Sequence, residues 1–158
     1  MSNNAEIVRT LKSAALFKNF TDTGLQIVAS IAQTKRIPPN TPLFVENMIG
    51  EGLYVIADGM IRLAVRGPNG QETTLTMLSA GDSLGEAAIL RQGPRLCSAT
   101  AEVESTVLEI TRRDIALLQR SKPQACLKLM MGVVELIGER LQKADPDFRQ
   151  FLAWRLDV

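Results

Sequence analysis

The residues of this chain whose types and spacing could do chemistry lie in Gly81-Asp-Ser-Leu-Gly-Glu-Ala-Ala-Ile-Leu-Arg-Gln-Gly-Pro-Arg-Leu-Cys-Ser-Ala-Thr-Ala101. Gly85 admits a backbone conformation closed to residues with a Cβ. Glu86 to Ile89 then suit one short helical turn, whose free N–H groups form a nest for an anion. Arg95 follows ten residues after Gly85, its approach stiffened by Pro94. An arginine aimed at such a turn calls for an anionic partner, and its planar fork matches phosphate. A carboxylate at Glu86 would be repelled by that phosphate unless it accepts hydrogen bonds from sugar hydroxyls. The plainer alternatives are a surface arginine paired with a neighbouring carboxylate and a glutamate that merely caps the turn.

Composition narrows the chemistry further. Histidine is absent, which excludes Ser-His-Asp and Cys-His catalysis and any zinc site built on imidazole. Cys97 and Cys126 have no second ligand at metal spacing and read as two reduced, buried thiols rather than as a bridge. The net charge of +1 gives no reason to expect nucleic acid as a direct partner. Residues 37–105 nonetheless carry four basic and eight acidic side chains, so Arg95 sits in an acidic stretch. The start of the chain lacks the pattern of a signal peptide, and no apolar run approaches the ~20 residues of a membrane span. A chain of 158 residues is therefore expected to be a single cytoplasmic domain without catalytic activity, cofactor or metal.

The elements that must position the segment follow from periodicity. Residues 1–36 read as two helices, with Ile7, Val8, Leu11, Ala14, Ala15 and Leu16 on one face, then Leu25, Val28, Ile31 and Ala32 after a cap at Thr21. Pro38-Pro39 ends the helical region. Residues 37–110 read as short strands: Pro42–Val45, Leu53–Ile56, Ile61–Val65 with its two-residue alternation, Thr73–Leu78 after the hairpin signal Asn69-Gly70, Ala99–Val103 and Val107–Ile110. Residues 111–142 are helical again, opened by Thr111 with Asp114 three residues on and continued from Pro123 to Gln142. Residues 143–158 form an apolar tail containing Trp154. The helix over 123–142 has two apolar stripes, Leu127–Met130–Val134–Ile137–Leu141 and Cys126–Leu129–Val133–Leu136. One would dock on the domain and the other is expected to meet a second copy in a homodimer. The fold class is α+β, an antiparallel jelly-roll barrel flanked by N-terminal helices and a long C-terminal helix.

Gly-Glu-Ala-Ala-Ile-Leu followed by Pro-Arg resembles the phosphate-binding cassette of the cyclic nucleotide-binding domain family, here residues 84–97. The resemblance extends from about residue 10 to residue 142 through Leu16-Phe17, the Pro39–Gly52 turn region, and Tyr54-Val-Ile56 with Gly59. It implies that Arg95 neutralises the phosphate of a 3′,5′-cyclic nucleotide and that Glu86 holds the ribose 2′-hydroxyl. Gly85, Ala87 and Ala88 would give backbone N–H groups to phosphate and sugar. Leu96 and Cys97 stand where the family has two small residues, and Leu96 would narrow the pocket or point at the base. Members that prefer cyclic GMP often carry threonine at the Leu96 position, so cyclic AMP is favoured over cyclic GMP. Leu84 replaces a usual phenylalanine, and Asn40 and Asn47 replace turn glycines, a substitution that left-handed backbone tolerates. The long helix offers no Ser or Thr to an adenine. Arg140 is left as a side chain that could stack on the purine, or as a solvated arginine at the helix end; Trp154 could cap the base or fill a groove. The resemblance implies a sensor that signals to a separate, unidentified effector through its last helix. The alternative is a degenerate domain that binds no nucleotide and serves as an interaction or dimerisation module. No helix-turn-helix pattern follows Gln142.

Overall fold

The computed structural model describes residues 2–156. Helix α1 (Ser2–Ser13), a 3-10 turn (Ala15–Phe17) and helix α2 (Asp22–Ala29) open the chain. The Thr21 side chain accepts a hydrogen bond from the Gly24 N–H at 3.1 Å, the expected cap. Ile7, Leu11, Phe17, Leu25 and Val28 are buried from this region. Helix does not continue to residue 36: Gln33–Ile37 is strand β1, paired antiparallel with residues 105–109. Four of its five side chains are exposed, so it carries no apolar alternation, and only the neighbouring strand's ladder makes it a strand.

The remaining strands are β2 (Pro42–Phe44), β3 (Gly52–Asp58), β4 (Met60–Arg66), β5 (Glu72–Ser79), β6 (Ser83–Leu84), β7 (Ser98–Ala101) and β8 (Ser105–Thr111). They form two four-stranded antiparallel sheets in the orders β1-β8-β3-β6 and β2-β7-β4-β5. No ladder joins the sheets among the described residues, so the expected barrel is instead a pair of open sheets packed face to face. Alternation along β3 divides the core in two. Leu53 and Val55 turn to one side and, with Leu108 and Ile110, pack against the helices. Tyr54 and Ile56 turn to the other and pack with Ile61, Leu84, Ala99, Ala101 and Val107 between the sheets. Strand β5 is the outer edge of its sheet, with every side chain from Glu72 to Met77 exposed. Asn40 and Asn47 adopt left-handed backbone, with φ of 60° and 69°.

Thr111 and Asp114 form a reciprocal capping box that opens α4 (Arg112–Ser121), and Pro123 opens α5 (Pro123–Gln142). Cys126, Leu129 and Val133 are buried against the first sheet's helical layer. Leu127, Met131 and Val134 are 56–63% exposed, so these apolar side chains of α5 are left uncovered by the described residues. The tail is not irregular. Asp145 accepts from the Asp147 N–H at 2.9 Å, and Pro146–Leu156 is a further helix, α6. Pro146, which ends α5, is also a favourable first helical residue. Both cysteines are free; Cys126 is buried and Cys97 only half-buried.

Candidate functional site

Gly85 sits between β6 and the short helix α3 (Ala87–Leu90) with φ of +77°. The positive φ calls for glycine, and a Cβ there would lie 2.6 Å from Arg95 Nη1, so a side chain would also push the guanidinium out of place. The turn closes as its sequence suggests, Ile89 N–H donating to Glu86 O and Ala88 N–H to Gly85 O, each at 3.1 Å. The Ala88 N–H is thus engaged within the turn.

Arg95 returns beneath this turn. A strap over residues 47–50 runs antiparallel to residues 93–95, with Arg95 N–H donating to Met48 O at 2.7 Å and Asn47 N–H to Arg95 O at 2.9 Å. The side chain is 7% exposed. Its Nη2 donates to Gly52 O at 2.8 Å and its Nη1 to Gly85 O at 3.3 Å, while Nε has no partner. Among the described residues no carboxylate lies within ion-pair distance of it. Burial pushes the guanidinium's affinity for its proton below the ordinary arginine value. A surface arginine paired with a carboxylate is therefore not what the chain builds. It builds a buried cation without a counter-charge, which is costly unless an anion completes it.

Glu86 is equally buried, at 4% exposed, but fully engaged. Ser83 Oγ donates to its Oε1 at 2.5 Å, Arg140 Nη1 to Oε2 at 3.0 Å and Arg140 Nη2 to Oε1 at 3.1 Å. Arg140 also donates to Ser83 O at 2.8 Å. Glu86 makes no cap bond to α3. Arg140 is thus not a free helix-end arginine: it fastens the last turn of α5 to the cassette.

A cavity of about 800 Å³ opens between these two ends, lined by Gly85, Glu86, Ala87, Ala88, Arg95, Leu96, Cys97 and Arg140. All the expected site residues therefore meet in one place. Phe44, Leu63, Thr76, Leu78 and Ser83 line it as well and were not singled out from sequence. Ser83 alone had a local signal, three residues before Glu86. Leu96 is 81% exposed, so it stands at the mouth and does not fill the phosphate end. Burial, then the charge of Glu46, raises the Cys97 thiol above its ordinary value, with Arg95 opposing. Trp154 lies exposed on α6 beside Phe151, ring centroids 6.2 Å apart, and does not line the cavity.

Residues 34–121, more than half of the chain, match the family model described as the cyclic nucleotide-binding domain. The chain belongs to that family. It is 31% identical over 135 residues to the cyclic AMP receptor protein of Thermus thermophilus, covering 85% of this chain and 61% of the relative. It is 25% identical over 135 residues to a CRP-like cAMP-activated global transcriptional regulator of Mycobacterium tuberculosis, covering 85% and 58%. The co-crystal structure of the regulatory domain of Toxoplasma gondii PKA with cAMP superposes with a TM-score of 0.66 at 26% identity, over 73% of this chain and 44% of that one. The chain thus spans about 60% of the length of the first two relatives. One of them is named a transcriptional regulator, so the expectation that nucleic acid plays no part is withdrawn. Among the described residues no helix is long and apolar enough to cross a membrane.

Proposed function

We propose that this cyclic nucleotide-binding domain is a cytoplasmic regulatory sensor that binds a 3′,5′-cyclic nucleotide, cyclic AMP in preference to cyclic GMP, and catalyses nothing. Arg95 carries the reading: a residue only 7% exposed that lines a cavity of about 800 Å³, with no counter-charge among the described residues. A cyclic phosphodiester supplies one negative charge and oxygens that suit the fork. The names of the relatives, a cyclic AMP receptor and a regulatory domain crystallised with cAMP, support the same ligand. In this reading Glu86 uses the acceptor capacity left beyond its bonds to Ser83 and Arg140 to take a ribose hydroxyl, and because it already holds Arg140, ligand bound there acts directly on the end of α5. That coupling is the proposed route to an effector, and it requires only that the ligand bind two arrangements of α5 with different affinity.

The exposed stripe Leu127, Met131 and Val134 supports a homodimer through α5. Val134→Glu should convert a dimer to a monomer in sedimentation equilibrium, with an unchanged far-UV circular dichroism spectrum and a melting temperature that no longer depends on protein concentration. A wild-type monomer at micromolar concentration would remove that part of the proposal.

Ligand binding is tested by thermal unfolding with cyclic AMP, cyclic GMP and cyclic di-GMP. A ligand at about 100 Kd should stabilise the protein by ~2.7 kcal/mol, with cyclic AMP effective at the lowest concentration. No shift with any of the three would establish the other reading, a module that works without nucleotide.

A further inference from the structure

Resting on that reading, we propose that Phe44 and Gly50, which lie outside the cassette, are positioning residues that hold the Arg95 guanidinium ready for the ligand's phosphate. Arg95 Cζ stands 4.1 Å from the centroid of the Phe44 ring, close enough for the π face to attract the cation. The Tyr54 ring lies 5.9 Å away, tilted 32° to that of Phe44, and extends the same shelf. Tyr54 is itself pinned, its hydroxyl donating to the buried Glu109 at 2.9 Å, and Glu109 is paired with Lys35. The shelf is therefore rigid behind its front ring. Phe44 is set by β2, whose ladder pairs it with Ala99 of β7.

Gly50 closes the opposite side. Its backbone is not left-handed, so its conformation alone does not demand glycine. Space does: a Cβ at Gly50 would lie 2.8 Å from Ala88 Cβ, 3.0 Å from Arg95 Nε and 3.1 Å from Arg95 Cζ. Gly50 N–H is tied to Gly93 O at 3.0 Å, which fixes the strap against the segment that carries Arg95. The guanidinium is thus bounded by an aromatic face, a bare Cα, the carbonyls of Gly52 and Gly85, and the Gly85 backbone. Two N–H groups are spent on carbonyls, and the others remain on a plane that cannot swing. In a site where a single ångström of misplacement weakens recognition, that slot is what makes an unpaired arginine selective for a phosphodiester rather than merely positive.

The test separates positioning from binding. Calorimetry with cyclic AMP is run on wild type, Phe44→Leu, Phe44→Trp and Gly50→Ala, alongside the ligand-free NMR signal of the Arg95 Nε–Hε, assigned by its loss in Arg95→Lys. Loss of the ring should lower affinity about 10- to 30-fold in Phe44→Leu, whereas Phe44→Trp should stay within about threefold of wild type. The Nε–Hε signal should be ring-shifted upfield in wild type and Phe44→Trp, and return to an ordinary position in Phe44→Leu. Gly50→Ala should displace the same signal and weaken binding by about tenfold or more; if that variant does not fold, the Phe44 pair decides. Unchanged affinity together with an unmoved Nε–Hε signal in Phe44→Leu overturns the proposal. If wild type binds no cyclic nucleotide, the functional reading fails, and the NMR signal alone decides whether Phe44 positions Arg95.

Discussion

Arg95 and Glu86 are nine residues apart in sequence, similarly buried, and both line one cavity. Their electrostatic circumstances are opposite. Glu86 is met by a bidentate arginine and a serine hydroxyl, whereas Arg95 has two backbone carbonyls and no anion. Proteins bury charges in pairs, because an unpaired one loses its hydration and gains nothing in return. Under the proposed function the unpaired end is the end completed by the ligand, while the paired end is completed by the chain's own long helix α5. In that reading the two ends have different tasks: Arg95 recognises, and Glu86 connects.

The largest effect should come from breaking the unpaired end. Arg95→Ala should lower affinity for cyclic AMP by about 100- to 1,000-fold in calorimetry, the scale of leaving a buried opposite charge without its partner. A loss below about tenfold would mean that the cavity binds nucleotide without using its unpaired cation. Breaking the paired end should act on stability instead. Arg140→Ala leaves Glu86 buried with only Ser83, and because the Arg140 side chain is 46% exposed, the cost is about 1–2 kcal/mol in denaturant unfolding. An unchanged unfolding midpoint would show that α5 is not fastened through this pair, and the division of labour would lose its second half.

The smallest effect concerns the shelf behind Arg95. Burial, reinforced by Glu109, pushes the Tyr54 hydroxyl from 10.0 up to about 12. The folded state therefore holds this proton more tightly than the unfolded chain. The resulting stability is complete below pH 10 and is lost as pH rises from about 10 through 12. Tyr54 is the only tyrosine, so tyrosinate absorbance reads it alone. A midpoint near 12 in the folded protein and a flatter alkaline stability profile in Tyr54→Phe are expected. A midpoint near 10 would mean that the shelf is open to water and that Arg95 is less isolated than its burial indicates.

The cassette was legible because its parts are local. A left-handed glycine, the turn after it and the arginine ten residues on must be adjacent in sequence to do their work. The helix caps at Thr21 and Thr111 and the Asn69-Gly70 hairpin were legible for the same reason. What was not legible depends on convergence. Phe44 is 51 residues from Arg95 in sequence, and nothing around it distinguishes a shelf for a cation from an ordinary strand phenylalanine. Arg140 was noticed as a lone cation, but its partner depends on where α5 ends relative to β6. Strand β1 was lost because its side chains face water, and the open sheets were read as a barrel because strand spacing carries no information about closure.

Strand β5 has a consequence of a different kind. From Thr73 to Ser79 it carries no charge and no proline, and its outer rim of backbone groups is unshared with any strand among the described residues. Natural edge strands usually carry a lysine, a bulge or a covering segment that prevents one molecule from adding its edge to the next. In β5 the register shifts where Leu63 pairs with Thr76 and Ala64 with Thr74, so Leu75 forms a bulge, yet Thr74 to Met77 remain exposed and uncharged along the border. Concentrated or warmed solutions would lose material to aggregation from this border first, and a lysine in place of Thr74 is the single change that would guard it without entering the cavity.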